Sequence, residues 1–179
     1  MIPSFVEGAK GHQVLPAGAH ILTWAELVDA FALGRPDEEL RLSQLGDLRD
    51  YVRLLTAYGL SVASVIIDGS FASGKTGPGD IDCSPIIDGS ASAPIAEIRN
   101  NITDNWIAPK GRYKRTPVPG LGRNVGLDIY GVVRIPVGHP NYAVGIENEK
   151  HWRKWWQCEE GSKGTVTKGY LEVLIDDAF

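Results

Sequence analysis

The chain has 179 residues, enough for a single domain with a proper hydrophobic core, or for one domain with an appendage. Its formal net charge of −4 argues against nonspecific coating of nucleic acid, although it leaves room for a local basic groove. Two cysteines without a metal or disulfide spacing, and no visible signal peptide or membrane-spanning run, lead us to expect a cytoplasmic protein with reduced thiols and no membrane partner.

The N-terminal part of the chain begins without a clear pattern. Residues 1–22 are predicted to be an irregular segment of the single domain, 1–179. Thr23-Trp24-Ala25-Glu26 is a capping box, in which the hydroxyl and the carboxylate satisfy backbone amides at a helix start. This motif predicts a short helix that ends near Phe31.

A second helix is predicted to begin at Pro36 and the three acids that follow it. The three acids that follow suit the first turn of a helix, where the backbone amides favour negative charge. An apolar stripe at spacings of three and four residues indicates the buried face, and Gly59 ends the helix. The stripe consists of Leu45, Leu48, Val52 and Leu55. We expect this helix to pack on the sheet, behind the candidate site described next.

Residues 65–83 fit two different nucleotide-binding patterns. Gly69 to Thr76 spells G-x-x-x-x-G-K-[ST], the phosphate-binding loop of P-loop NTPases. That loop requires a helix to start at its lysine, whereas here Gly77-Pro78-Gly79 follows and favours a turn. The P-loop is therefore the less favoured alternative.

The second pattern is a Gly-Ser turn followed by two carboxylates. A strand from Ser64 to Ile67 ends in Gly69-Ser70, where a tight turn can present backbone N–H groups to an anion. A glycine-rich excursion then leads to a second strand that carries Asp80 and Asp82. Residues two apart in a strand share a face, so both carboxylates are predicted to converge, as Mg²⁺ or Mn²⁺ ligands do.

A third acid is predicted on a later strand. Residues 124–133 form an apolar run with Asp128 in its middle, beside Gly126. A buried carboxylate is costly unless it is paired, hydrogen-bonded or bound to a cation. An edge-strand aspartate facing solvent is the alternative, but the position after an Asp-x-Asp strand favours a metal ligand.

The remaining chain predicts two helices, a basic loop and a last strand. Ser92 and Pro94 are predicted to start a helix toward Trp106. Residues 147–157 are predicted to form a helix with a tryptophan face, which favours a core or partner contact over base stacking. Residues 110–123 form a proline- and glycine-rich loop, interpreted equally well as a flap gripping triphosphate or an acceptor backbone and as a solvated hairpin loop. Tyr170 to Ile175 is predicted to be the final strand. The candidate phosphate or acceptor contacts in the basic loop are Lys110, Arg112, Lys114 and Arg115.

These motifs resemble the polymerase-β-type nucleotidyltransferase superfamily, in its small, MNT-like branch. The stretch from Ile67 to Asp82 also resembles a family of small, poorly characterised bacterial and phage proteins placed in that superfamily. Two further matches are Leu15-Pro-Ala-Gly-Ala-His20 and Lys168-Gly169 before the last strand. The chain departs from the common Gly-Gly-Ser pattern, since Asp68 precedes Gly69-Ser70.

The resemblance implies a mixed β-sheet with flanking helices, an α/β fold of the nucleotidyltransferase type. It implies metal-dependent transfer of a nucleoside monophosphate from an NTP, such as ATP, to a hydroxyl of RNA, tRNA, a protein or a small molecule. Asp80 and Asp82 would hold two Mg²⁺ or Mn²⁺ ions, and Asp128 would bind the catalytic ion. The phosphates would lie against Gly69 and Ser70, in the stretch that contains Lys75.

Two roles beyond this chemistry stay open at this point. A toxin–antitoxin or phage-defence function, with a cognate partner protein, is compatible with the resemblance. A regulatory or partner-binding module that binds nucleotide with little or no turnover is the alternative, favoured by the extra acid Asp68 and opposed by the intact set of three acids.

Overall fold

The computed structural model describes residues 3–90, 118 and 120–175. In these ranges the elements follow in the order β1 (Val6–Glu7), β2 (Gln13–Val14), β3 (Gly18–Leu22), α1 (Trp24–Phe31), α2 (Glu38–Ala57), β4 (Val62–Asp68), β5 (Ile81–Asp88), β6 (Leu127–Ile129), β7 (Val132–Arg134), α3 (Tyr142–Trp155) and β8 (Gly169–Leu174). The helix predicted from Ser92 and Pro94 toward Trp106 lies outside the described residues. No helix among the described residues has the length and apolar content needed to cross a membrane.

A six-stranded mixed sheet forms the centre of the molecule. Its strand order is β3-β8-β4-β5-β6, and β7 pairs with β5 next to β6. The β4 strand is antiparallel to both β5 and β8, whereas β3 is parallel to β8 and β6 is parallel to β5. This arrangement confirms the predicted α/β fold with a mixed sheet and flanking helices.

The prediction that residues 1–22 are irregular is wrong. The β1 and β2 strands form a small antiparallel sheet, and β3 pairs along its whole length with β8. The two-residue strands are too short to show periodicity, and in β3 the apolar Ile21 is exposed. Since the partner strand of β3 is about 150 residues away, pairing rather than local pattern defines it.

The two N-terminal helices follow their sequence signals. Thr23 caps α1 and Glu26 completes the capping box, as predicted. The α2 helix begins at Glu38 and ends at Ala57, and its predicted apolar stripe is buried in the main core with residues of β4, β5, β6 and β8. These contacts place α2 against one face of the sheet.

The α3 helix lies against the opposite face. Trp156, directly after α3, packs with Ile66, Ile86, Val132 and Tyr170 in a second apolar cluster. Side chains alternate between faces along a strand, so Ile66 shares its face with Asp68, while Ile67 joins the main core. The acids therefore lie on the α3 face, and α2 lies behind them, as predicted.

The C-terminal predictions were correct in outline. The helix predicted for residues 147–157 begins earlier, at Tyr142, and the last strand covers Gly169–Leu174. The predicted continuous strand over 124–133 is in fact two short strands, β6 and β7. Tyr130 and Gly131 interrupt the hydrogen-bond ladder along β5. The first part of β5 therefore pairs with β6 and its last part with β7.

Candidate active site

Three aspartates stand side by side across three neighbouring strands. Asp68 of β4 pairs in register with Asp82 of β5, which pairs in register with Asp128 of β6. Residues opposite each other in adjacent strands point to the same face, with Cα atoms about 5 Å apart. The structure thus brings the predicted Asp82 and Asp128 together and adds Asp68 to the same row.

Asp80 also contributes to this group. It directly precedes the first residue of β5, whereas the sequence placed it within the strand. Its carboxylate is the strongest of the like charges that act on Asp82, ahead of Asp68 and Asp128. All four acids therefore lie near one another at the start of β5.

Mutual repulsion is visible in the pKa of Asp82. Burial is the main cause that raises this pKa, and the neighbouring carboxylates of Asp80, Asp68 and Asp128 raise it further, to about 7. Lys168 acts in the opposite direction and does not compensate. Near neutral pH, one proton on Asp82 or an added cation would lower the energy of this group.

Asp128 is held from the side of α3. Its side chain is buried, and the hydroxyl of Tyr130 donates a hydrogen bond to Oδ2 of Asp128 across 3.3 Å. Tyr130 itself packs against the rings of Trp152 and Trp156. Burial of Asp128 excludes the alternative of an edge-strand aspartate that faces solvent.

Lys168 is paired with Asp68, the acid that departs from the common pattern. Its ammonium group donates a hydrogen bond to Oδ2 of Asp68, and both side chains are largely buried. The lysine and the amide of Gly69 lower the pKa of Asp68, but burial outweighs them and raises it. The resemblance includes Lys168 but gives it no role. Its partner, Asp68, lies about 100 residues away in the chain, so no local sequence pattern shows the pair.

The turn at Gly69 can be made only by glycine. Gly69 has a φ of +70°, in the left-handed region, and a Cβ atom at this position would lie 1.7 Å from Oδ2 of Asp82. The backbone therefore passes directly against the acid group. This close approach explains why glycine follows β4 and supports the predicted position of Gly69 and Ser70 at the site.

The segment after the turn does not form a P-loop. Residues 71–80 are turns, bends and irregular backbone, and Gly77 has a φ of +63° where a helix would have to begin. The helix that a P-loop lysine must open is therefore not formed at Lys75. Lys75 is exposed and lines a cavity of about 220 Å³ together with Gly69 and Ser70, beside the acids.

A buried arginine on α2 holds this loop from behind. Arg41 donates hydrogen bonds from Nη1 to the carbonyls of Phe31 and Phe71, and from Nη2 to the carbonyl of Lys75. It also pairs with Asp37, which accepts a hydrogen bond from the amide of Gly77. Sequence reasoning missed this residue, since a helix pattern does not show which of its charged residues is fully buried.

Two cavities meet at the Gly69 turn. The cavity of about 220 Å³ is also lined by Lys10, His12 and Lys168. The second, of about 480 Å³, contains Asp82 and extends to Trp155 and Lys163. Both cavities are lined by Asp68, Gly69, Lys168 and the two acids that follow α3, Glu159 and Glu160, so the two cavities are adjacent.

The donor set fits a divalent cation in its chemistry. Carboxylate oxygens are the preferred ligands of Mg²⁺ and Mn²⁺, and, after burial, three neighbouring carboxylates raise the pKa of Asp82. Among the described residues, however, no three His, Cys, Asp or Glu side chains are already gathered into a metal-binding group. A bound ion would have to draw the carboxylates of Asp80, Asp82 and Asp128 closer together.

The predicted basic contacts cannot be placed. Lys110, Arg112, Lys114 and Arg115 lie outside the described residues. Arg123, at the end of the same stretch, is described and pairs with Asp47 and Asp50 of α2. This arginine therefore lies against α2 and not in the row of acids.

Comparison with known proteins identifies a family but not a function. No curated protein and no solved structure matches the chain. A family model with the description "Family of unknown function (DUF6932)" matches residues 8–174, which include every strand and turn that carries the four acids. The chain therefore belongs to this family of unknown function.

Proposed function

We propose that the protein is a metal-dependent nucleotidyltransferase that transfers a nucleoside monophosphate from an NTP to a hydroxyl acceptor. The observation that carries the proposal is the register of Asp82 beside Asp128, with Asp80 next to them and the Gly69 turn against Asp82. Oxygen ligands on adjacent strands beside a tight turn suit a nucleotide bound together with Mg²⁺ or Mn²⁺.

In the proposed reaction, the acceptor hydroxyl attacks the α-phosphorus of the NTP. A new P–O bond forms, the bond to the bridging oxygen of the β-phosphate breaks, and pyrophosphate leaves. Asp128 would take the proton of the attacking hydroxyl. Mg²⁺ or Mn²⁺, when bound by Asp80, Asp82 and Asp128, would supply charge neutralisation.

The pairing of Asp68 with Lys168 makes this additional acid compatible with turnover. An acid next to the phosphates would repel them, but its pairing with Lys168 offsets that charge. The turn amides at Gly69 and Ser70, with Lys75 nearby, would face the phosphates. RNA, tRNA, a protein or a small molecule all carry a suitable acceptor hydroxyl, and a toxin–antitoxin or phage-defence role with a cognate partner protein stays within this proposal.

The alternative is a nucleotide-binding regulatory or partner-binding module with little or no turnover. It is favoured by the finding that the described acids are not already gathered into a metal-binding group. In this case the cavities at Gly69 would bind an NTP, and the carboxylates would not bring a metal into a reactive position.

Transfer of label separates the two functions. The protein is incubated with Mg²⁺, each α-³²P-labelled NTP in turn, and total RNA or cell lysate. We expect label on one acceptor, and loss of at least 100-fold in rate for Asp82→Asn. The matched control, Asp29→Asn on the exposed side of α1, should transfer at the wild-type rate. NTP binding without transfer in any extract would instead favour the regulatory module.

A further inference from the structure

The tryptophans after residue 150 are not equivalent. Trp156 is buried, and Trp152 packs with it and with Tyr130 against the sheet. Trp155 is 57% exposed, although it is a large apolar ring at the end of α3. The sequence pattern treats these rings as one face, but the structure uses only two of them for packing.

Trp155 lines the larger of the two cavities at the site. This cavity, of about 480 Å³, reaches from Asp82 and Gly69 to Trp155 and the loop after α3. Lys163 of that loop also lines it and has a φ of +53°, a backbone conformation that is uncommon for a residue with a side chain. The lining of this cavity thus includes both an aromatic ring and two members of the acid group, Asp68 and Asp82, together with Glu159 and Glu160.

We propose that this cavity binds the base and sugar of the nucleotide, with the base stacked on Trp155. The inference rests on the proposed function, because it takes the phosphates to lie at the Gly69 turn. The adjacent cavity of about 220 Å³ then receives the terminal phosphates at the Gly69 turn, beside Lys75. Lys10 and Lys168 also line this cavity and are paired with Glu160 and Asp68. A nucleoside joined to a triphosphate has these two parts in the same order, an aromatic base and an anionic tail.

Stacking on an indole ring suits a nucleobase of any identity. Every base has a π-face, and removal of a stacking side chain weakens binding by roughly 5- to 150-fold. His151 lies beside Trp155, with ring centroids 6.3 Å apart and ring planes 27° apart. Because Trp155 is exposed and makes few core contacts, its replacement should leave the fold intact.

The test compares binding of whole nucleotides with binding of the phosphate tail alone. Calorimetric titrations with Mg²⁺ and ATP, GTP, CTP or UTP, and with Mg²⁺ and tripolyphosphate, are made on wild type, Trp155→Ala and Trp155→Phe. We expect wild type to bind at least one NTP more tightly than tripolyphosphate. Trp155→Ala should weaken that NTP tenfold or more and tripolyphosphate less than twofold, while Trp155→Phe should stay within about threefold of wild type.

A control and two contradicting outcomes complete the design. Tyr58→Ala removes another exposed aromatic ring, at the end of α2, and should not change either affinity. Equal NTP affinity in wild type and Trp155→Ala would overturn the inference, and so would a wild type that binds no NTP more tightly than tripolyphosphate. Trp155-dependent NTP binding without label transfer would leave the inference standing and contradict only the transferase. Label transfer with an NTP affinity independent of Trp155 would contradict only the inference.

Discussion

The raised pKa of Asp82, in the candidate site, has a consequence for the stability of the fold. Its pKa of about 7 lies above its usual value of 3.8, so the unfolded chain releases the proton first as the pH rises. The ionised side chain therefore costs folding free energy increasingly between pH values of about 4 and 7, and that cost is constant at higher pH. A cation at the site would remove much of it.

Replacement of Asp82 by asparagine should stabilise the metal-free protein. At pH 8 we expect a gain of the order of 2 kcal/mol in the free energy of unfolding, because the amide carries no charge into the acid group. The gain should shrink as the pH falls toward 4. Urea unfolding at pH 5 and pH 8 measures both values, with Asp29→Asn as the exposed control. A loss of stability in Asp82→Asn at pH 8 would refute this interpretation.

For single residues, the sequence predicted the position of the acids in the site better than that of their cationic neighbours. A carboxylate in an apolar strand, such as Asp128, is conspicuous because burial is expensive. Lys168 and Arg41 are common residue types in unremarkable positions, and they act on Asp68 and the 71–77 loop only once distant strands and helices have come together. Their partners are therefore not visible in a local pattern.

Among the elements, α2 positions the loop between β4 and β5. Arg41 and Gln44 extend from one face of this helix, and Gln44 donates a hydrogen bond to the carbonyl of Pro78 across 2.8 Å. The loop has no regular secondary structure of its own, so these side chains satisfy its backbone groups. The loop that follows the Gly69 turn is thus attached to α2 at Phe71, Lys75 and Pro78.

Arg41→Lys should loosen the loop without unfolding the sheet. Lysine keeps the charge but cannot reach three carbonyls in the fork geometry of arginine. We expect amide exchange in residues 71–77 to speed up tenfold or more, while β4 and β8 keep their protection. Arg53→Ala, on the exposed side of the same helix, is the control. Unchanged exchange of the loop in Arg41→Lys would show that Arg41 does not hold it.

Helices proved easier to predict than strands for a physical reason. A capping box and a stripe at spacings of three and four are local signals, and they located α1 and the buried face of α2. The β3 strand is stabilised by pairing with β8, far away in the chain, so its own five residues carry little information. The break between β6 and β7 likewise depends on pairing with β5.

In the molecule as a whole, the sheet separates the main hydrophobic core from the residues of the proposed chemistry. The main core lies on the α1 and α2 face, while the acids lie on the α3 face and the larger cavity at Gly69 reaches Trp155 of α3. Charge on the α3 face can thus be altered without opening the main core. The mixed sheet and the meeting of Asp82 with Asp128 were predictable from sequence, whereas the two-cavity shape depends on how α3 and its following loop pack.

Binding of Mn²⁺ tests the central claim most directly, because the carboxylates are proposed to hold a divalent ion together with a nucleotide. Mn²⁺ is titrated into the protein with a non-hydrolysable NTP and followed by electron paramagnetic resonance. We predict that wild type and Asp29→Asn bind the ion, and that Asp82→Asn and Asp128→Asn each bind it at least tenfold more weakly. Equal Mn²⁺ affinity in all four proteins would contradict the account.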